Sequence, residues 1–253
     1  MTSDFNGRAE ITRQRSSAAG NRLLDCLSQR DRALLEPRLE PVELKVRQQL
    51  EAPNRKIRTV YFPDAGLCSI VGMGAGHRHQ AEVGIVGREG MTGISLLLGA
   101  DRSPHATFML TQGRARCLGA DELLWAMSES RSLAACLLRF AHVHNLQIAH
   151  TAVANARYKI EERLARWLLM ADDRLDGEDV LLTHDMLAAM LATRRAGVTA
   201  ALNKFEDDHL IRSKRARISL LDRDGLMAIA DGLYGAPEAE YNRLFRAPAQ
   251  ETR

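Results

Sequence analysis

No glycine or proline occurs between residues 120 and 176, and this stretch is rich in alanine, leucine, arginine and glutamate. Residues of these types favour helices, whereas glycine and proline tend to end them. The segment therefore predicts a run of helices, the longest of them over residues 131–157.

Apolar and small residues recur along that helix at alternating spacings of three and four. This spacing is typical of the seam between two paired helices, where an asparagine fixes the register at some cost in stability. It predicts dimerisation through a seam with these members: Leu138, Ala141, Asn145, Ile148 and Ala152. Leu146, Ala149 and Val153 are expected on an adjoining face that rests on the N-terminal domain. The alternative is a helix that packs only within its own subunit.

Residues 42–118 have a different pattern, in which short β-branched or alternating runs are separated by glycine or proline. Such runs predict short strands. The predicted strands are 57–62, 68–73, 82–86, 107–110 and 115–118. The repetition of short strands separated by turn residues indicates an antiparallel barrel or sandwich.

A helix-turn-helix pattern begins at residue 182. Thr183 is suited to N-cap a short helix, and a tight turn at Ala192 and Thr193 would lead into a second helix. The predicted inner faces contain Met186, Leu187, Met190 and Leu191 in the first helix, and Val198, Ala201, Leu202 and Phe205 in the second. Because such a helix enters the major groove by its N-terminal end, DNA contacts are expected from these residues: Thr183, Arg194, Arg195, Thr199, Asn203 and Lys204.

A basic hairpin is predicted directly afterwards, with strands at 210–212 and 217–221 joined by residues 213–216. Residues 209–221 contain four basic residues and no acid. Lys214, Arg215 and Arg217 of this hairpin would contact phosphates, which adds affinity without sequence information. A helical hairpin can be a simple packing unit and a basic run a solvated surface, but the two at this distance together favour DNA binding.

The overall composition narrows the class of protein. A net charge of +3 over 253 residues does not by itself indicate nucleic acid. Four widely separated cysteines without a C-x-x-C pair fit a reducing cytoplasm and no zinc site. We expect no signal peptide or membrane span, because no run of about 18 apolar residues occurs. An enzyme is not expected, since hydrolase, metalloprotease and P-loop motifs are all missing.

Three segments resemble the Crp/Fnr family of bacterial transcription regulators. They are EERLARWLL at 161–169, LTHDMLAAMLATRRAGVT at 182–199 and HLIRSKRARISLLD at 209–222, with support from VYFPDAG and VGREGMTG upstream. The resemblance covers about residues 20–232. It implies an α+β fold with an N-terminal antiparallel β-roll (a double-stranded jelly roll), a long dimerisation helix and a C-terminal winged helix-turn-helix. The expected division is a disordered tail (1–19), a β-roll sensor domain of the cyclic-nucleotide-binding type (20–130), the dimerisation helix and hinge (131–157), the DNA-binding domain (158–234) and a flexible tail (235–253).

The resemblance also implies a candidate effector pocket in the roll. Its residues are Gly90, Met91, Gly93, Arg102 and Ser103. The cyclic-AMP-responsive members of the family carry a ribose-binding glutamate where Met91 stands, and a thioether is a much weaker hydrogen-bond acceptor than a carboxylate. Arg102 and Ser103 match the pair that holds the cyclic phosphate. A cyclic nucleotide is therefore disfavoured as the effector, whose identity stays open.

Metal cofactors are disfavoured as well. The iron–sulfur branch of the family uses clustered N-terminal cysteines, and this chain has only Cys26 in that region, so no cluster is expected. Haem ligation by His77, His79 or His105 is disfavoured because loop histidines are more often exposed or hydrogen-bonded.

The resemblance implies a homodimer that reads a near-palindromic DNA site and changes transcription by blocking or contacting RNA polymerase. Activation and repression both stay open, as does a roll that has lost its ligand and serves only as a dimer scaffold. The rival from another class is a nucleotide-binding signalling module without DNA binding, which would have no use for residues 182–222.

Overall fold

The structure, a computed structural model, describes residues 20–74 and 80–245. Short helices and antiparallel strands build its N-terminal part. The helices there are α1 (Arg22–Asp25), α2 (Gln29–Leu35) and α3 (Ile94–Leu97). The strands are β1 (Glu40–Leu44), β2 (Gln49–Glu51), β3 (Thr59–Ala65), β4 (Cys68–Met73), β5 (Gln80–Val86), β6 (Ala106–Met109) and β7 (Gly113–Gly119). The predicted tail at 1–19 lies outside the described residues.

These strands form two antiparallel sheets, ordered β1-β7-β3 and β2-β6-β4-β5. Phe62, Met91 and Leu118 are among the fully buried or nearly buried side chains of their common core. The arrangement is the predicted β-roll in an α+β protein. Strands β1 and β2 were not predicted because their sequences, EPVEL and QLE, are short and polar. Pairing with a neighbouring strand and partial burial, rather than their own composition, stabilise such strands.

Helices α4 (Ala120–Glu129), α5 (Arg131–Arg157) and α6 (Ile160–Leu175) follow, as the absence of glycine and proline predicted. The Ser130 hydroxyl accepts a hydrogen bond from the Leu133 amide at 3.3 Å and caps the long helix α5. Tyr158 and Lys159 have extended backbones and separate α5 from α6. This break lies at the end of the predicted hinge.

The C-terminal domain contains α6, its helix-turn-helix and a small sheet of order β8-β10-β9. Its remaining elements are β8 (Val180–Leu181), α7 (His184–Met190), α8 (Arg195–Asp207), β9 (Ile211–Lys214), β10 (Arg217–Leu220) and α9 (Arg223–Ile229). Of the predicted inner residues, Met186 and Met190 are half-buried and the other six are buried. The predicted winged helix-turn-helix arrangement is therefore present.

The basic hairpin differs from its predicted form. Strand β9 continues to Lys214, where Ser213 pairs with Ile218 and Lys214 with Arg217. The connection is therefore only Arg215 and Ala216, with φ of 52° and 62°, and the predicted loop at 213–216 is wrong in its first two residues. A two-residue turn with two left-handed residues matches the twist of the strands and permits this longer pairing.

The C-terminal domain docks on the roll of its own chain. Leu67, Ile85 and Leu110 of the roll belong to the same buried cluster as Trp167 and Leu168 of α6. The roll and the C-terminal domain therefore share an apolar interface.

The predicted flexible tail is wrong for residues 236–245. They form helix α10 (Ala236–Phe245), which contacts α5. The Tyr241 and Phe245 rings stack with centroids 4.5 Å apart, and Phe245 packs against the core of the roll. A short helix of this composition is marginal alone, so tertiary contacts stabilise it. Residues 246–253 lie outside the described part of the chain.

Candidate nucleic-acid interface

Helices α7 and α8 form a helix pair with a tight turn between them. The Thr183 hydroxyl accepts a hydrogen bond from the Met186 amide at 3.2 Å and N-caps α7, as predicted. Ala192 has a φ of 45°, and the Thr193 amide donates to the Ala188 carbonyl at 2.9 Å, which closes the turn. Helix α8 begins at Arg195 after Arg194 as its N-cap residue.

The outer face of α8 is polar and accessible. Arg194, Arg195, Asn203 and Lys204 are exposed, whereas Thr199 is half-buried and its hydroxyl lies 2.9 Å from His184 Nδ1. The structure thus places four of the five predicted α8-face residues in solvent and one in the contact between the two helices. The N-terminal end of α8 also carries partial positive charge from its unpaired amides.

Arg195 has one acidic neighbour. Its Nη1 lies 3.5 Å from Asp185 Oδ2, and both side chains are about two-thirds exposed. An exposed ion pair of this kind contributes little to stability and is easily exchanged for another partner. Arg195 can therefore leave Asp185 for a base edge.

The hairpin β9–β10 lies beside α8 and is tied to it, because the Ser213 amide donates to Glu206 Oε1 at 2.7 Å. Lys214, Arg215 and Arg217 are exposed, as predicted. Arg217 Nη1 lies 2.8 Å from Asp179 Oδ2, and the Ser219 hydroxyl and Arg217 together lower the pKa of Asp179. Within the described residues, no carboxylate lies in ion-pair distance of Lys214 or Arg215. These two residues are therefore the better candidates for phosphate contacts.

Helix α5 has one face in the protein and one in solvent. Phe140, His144 and Gln147 face the roll, where the Gln147 side chain hydrogen-bonds the amide and carbonyl of Ile85 at 2.7 and 3.2 Å. On the other face the Leu138 and Val153 side chains are 44% and 51% exposed. Ala149 and Ala152 are exposed on the same side, so small and apolar residues extend along this face of α5.

The predicted seam agrees with this exposed face only in part. Leu138, Asn145 and Ala152 are exposed and Ile148 is half-buried, but Ala141 is buried within its own chain. Ala149 and Val153 are exposed as well, so the prediction that they rest on the roll is wrong. The reason is that the roll contacts lie roughly on the opposite side of the helix, through Phe140, His144 and Gln147.

The sequence of residues 162–229 matches the family model of a Crp-like helix-turn-helix domain. A CRP-family transcriptional regulator from Thermus thermophilus matches the fold with a TM-score of 0.64 and 17% identity, over 77% of this chain and 99% of that one. Residues 162–229 thus form a Crp-like helix-turn-helix domain, and the fold of the chain is similar to that of this regulator. A CRP/FNR-family regulator from Thermus thermophilus matches with a TM-score of 0.55 and 23% identity, over 76% of this chain and 99% of that one. FixK2 from Bradyrhizobium japonicum matches with a TM-score of 0.65 and 16% identity, over 78% of this chain and 98% of that one.

The predicted resemblance is thus confirmed, by sequence for the C-terminal domain and by structure for the fold. A comparison with curated protein sequences gave no match. Among the described helices, none has both the length and the apolar character that crossing a membrane requires.

The structure places the candidate effector residues of the roll in different surroundings. Met91 is fully buried in the core, and a Cβ on Gly90 would lie 2.2 Å from the Phe140 ring. The Gly93 amide donates to Glu51 Oε1 at 2.8 Å. Arg102 is largely exposed beside Asp101, while the Ser103 hydroxyl accepts from the His105 amide. Core side chains fill the space near Gly90 and Met91, so these residues show no room for a ligand there.

A cavity of about 740 Å³ lies elsewhere, between α1, α5, α6 and α10. Arg22, Arg174 and Arg223 line it with acidic partners, and Tyr241 and Phe245 close it from α10. Sequence reasoning missed this cavity because α10 had been assigned to a tail.

The histidines considered as haem ligands lie partly outside the described residues. His77 and His79 lie outside the described residues, and burial lowers the pKa of His105. In the part of the chain that the structure describes, no three histidine, cysteine, aspartate or glutamate side chains are placed to hold a metal ion.

Lys214→Ala is expected to weaken DNA binding to a similar extent on all sequences and to reduce the slope of log K against log salt by about 1, because it removes one phosphate contact. Salt titrations of binding to a selected site and to random duplex measure both effects. Lys56→Ala is the control, since Lys56 is also exposed but lies among residues of the roll. An unchanged salt slope in Lys214→Ala would show that the hairpin does not touch the backbone.

Proposed function

We propose that this Crp/Fnr-type transcription regulator binds an inverted-repeat DNA site as a homodimer, with α8 of each subunit in the major groove. One observation carries the proposal. Within the segment that matches a Crp-like helix-turn-helix, α8 buries its apolar face and presents Arg194 and Arg195 at its exposed N-terminal end. Arginine at that place can form paired hydrogen bonds with guanine.

The hairpin supports this proposal as a second, sequence-independent contact. Its tie to α8 through Ser213 and Glu206 holds the basic turn at a constant distance from the reading helix. Base contacts from α8 would then specify the sequence, while Lys214 and Arg215 add affinity through phosphates.

The exposed face of α5 supports the homodimer. Pairing of two α5 helices would cover Leu138 and Val153 and would relate the two reading helices by a two-fold axis. Such a dimer reads half-sites one DNA turn apart, about 34–36 Å between centres.

The proposed regulator controls transcription through its DNA binding. Binding in the cytoplasm changes transcription by blocking RNA polymerase or by contacting it, and no catalytic step is involved. Control by an effector bound in the roll and a roll that serves only as a dimer scaffold are the two alternatives. The buried Met91 and the exposed Arg102 favour neither a cyclic nucleotide nor a pocket at this place.

Selection of duplexes from a random pool by the purified full chain tests the proposal. We expect enrichment of an inverted repeat, bound with two chains per duplex. Enrichment of a single unrepeated site would contradict the dimeric reading mode. Recovery of sequences no different from the starting pool, at low salt and at several pH values, would contradict sequence-specific binding.

A further inference from the structure

One carboxylate joins the roll to the DNA-binding domain. Glu82 of β5 is 5% exposed and lies at the apolar interface between them. The Trp167 indole of α6 donates to Glu82 Oε1 at 2.6 Å, and the Ser69 hydroxyl of β4 donates to Oε2 at 2.5 Å. Ser69 Oγ also lies 3.3 Å from Met190 Sδ of α7. A single side chain thus contacts both domains.

Apolar packing alone would dock these two surfaces. Leu67, Ile85 and Leu110 already pack in the same cluster as the C-terminal domain, so a carboxylate there adds the cost of burying a charge. No basic group lies within 4.0 Å of Glu82 in the described residues. The buried carboxylate of Glu82 therefore costs free energy at an interface that hydrophobic residues could stabilise without it.

Among the charged and titratable groups packed around Glu82, Glu82 itself is the group whose protonation changes near neutral pH. Arg166 and Arg174 of α6 favour its ionised form, but Arg166 donates to the Gln147 carbonyl and Arg174 pairs with Glu89 at 2.7 Å. From α5, His144 packs against Gly84, and burial lowers its pKa to about 3, so it stays neutral. Burial also lowers the pKa of His105.

We propose that Glu82 is a positioning residue: its hydrogen bonds to Trp167 and Ser69 set the docking of the DNA-binding domain on the roll, and ionisation of its carboxyl loosens that docking. This inference rests on the proposed function for its consequence in DNA binding. In the docked state α7 faces the roll across a cavity of about 660 Å³ lined by Arg47, Phe108, Thr183 and Met190. Because the first helix of the pair crosses the DNA backbone, loosening would free the face of α7 that DNA needs.

The sign of the pH effect follows from the protonation states. Burial raises the pKa of Glu82 from 4.5 to about 7 in the docked state. The docked state therefore holds the proton more tightly than an undocked state in which Glu82 is solvated. Docking is strongest below about pH 4.5 and weakens as the pH rises through about 7, by roughly tenfold between pH 6 and 8.

Trp167 supplies the readout once Trp125 is replaced by phenylalanine, since the chain has two tryptophans. In Trp125→Phe we expect Trp167 fluorescence to titrate with a midpoint near 7, and the added change Glu82→Gln to abolish the transition. Glutamine keeps the size of glutamate and an acceptor for the indole but cannot ionise. Glu178→Gln, at an exposed carboxyl of the same domain, is the control and should leave the midpoint unchanged.

Ser69→Ala gives an independent test in case Glu82→Gln fails to fold. It removes a hydrogen bond that favours the carboxylate, so the midpoint should rise. A transition that persists in Glu82→Gln, or a midpoint that does not rise in Ser69→Ala, overturns the proposal.

DNA affinity is the second readout. On the selected duplex, affinity should rise by up to roughly tenfold from pH 6 to 8 in the parent and stay flatter in Glu82→Gln, because loosened docking frees α7. The same pH dependence in both proteins would also overturn the positioning role. If Trp167 titrates as expected but the parent selects no sequence, the proposed function fails and the docking role of Glu82 stands.

Discussion

Leu138→Glu should make the protein monomeric and remove operator binding. Leu138 is 44% exposed in the single chain, so the change costs little there. In a dimer the glutamate would be buried against its symmetry mate, and burying unpaired like charges is strongly unfavourable. Loss of the second reading helix then removes the gain from two linked contacts, about 10²–10⁴-fold in affinity.

Sedimentation and binding to the selected repeat measure both effects. Leu98→Glu is the matched control, because Leu98 is 63% exposed and belongs to the roll rather than to the exposed face of α5. It should stay dimeric and bind DNA normally. A Leu138→Glu protein that sediments as the parent dimer does would show that the exposed face of α5 is not the dimer interface.

Arg195→Ala should abolish discrimination between the selected site and a site changed at one base pair. A bidentate arginine–guanine contact contributes about 1–3 kcal/mol of discrimination, which corresponds to roughly 5- to 150-fold. Because Arg195 is mostly exposed and paired only with an exposed Asp185, its removal should not change the melting temperature.

Competition between the two duplexes measures the discrimination. Asp185→Ala removes the acidic partner of Arg195 but keeps the arginine, so this variant should still prefer the selected site. Arg30→Ala, at an exposed arginine of the roll, controls for the loss of positive charge. Equal weakening on every sequence in Arg195→Ala would identify this arginine as a phosphate contact and require another base-reading residue.

The predictions that held concern features set by local sequence. The absence of glycine and proline predicted the helix that the structure shows at Arg131–Arg157. Short sequence spacings predicted the Thr183 cap, the turn at Ala192 and the inner face of α8. These features depend on residues within about one or two helical turns, so neighbours in sequence are enough to predict them.

The predictions that failed concern contacts between distant segments. Val153 was expected on the roll, but the roll contacts helix α5 on its Phe140 side. The tail was expected to be flexible, but α10 gains its stability from α5 and from the core near Phe245. Neither contact leaves a periodic pattern in the segment itself.

The sequence alone determined the run of helices after residue 120, the strand-rich character of residues 42–118 and the helix pair that presents Arg195, because backbone preference and hydrophobic spacing act over a few residues. Only the tertiary structure decided that Met91 and Phe140 fill the place expected for an effector and that Glu82 meets Trp167. Glu82 and Trp167 are 85 residues apart in the chain, and their hydrogen bond exists only because the docking of two domains excludes water from both.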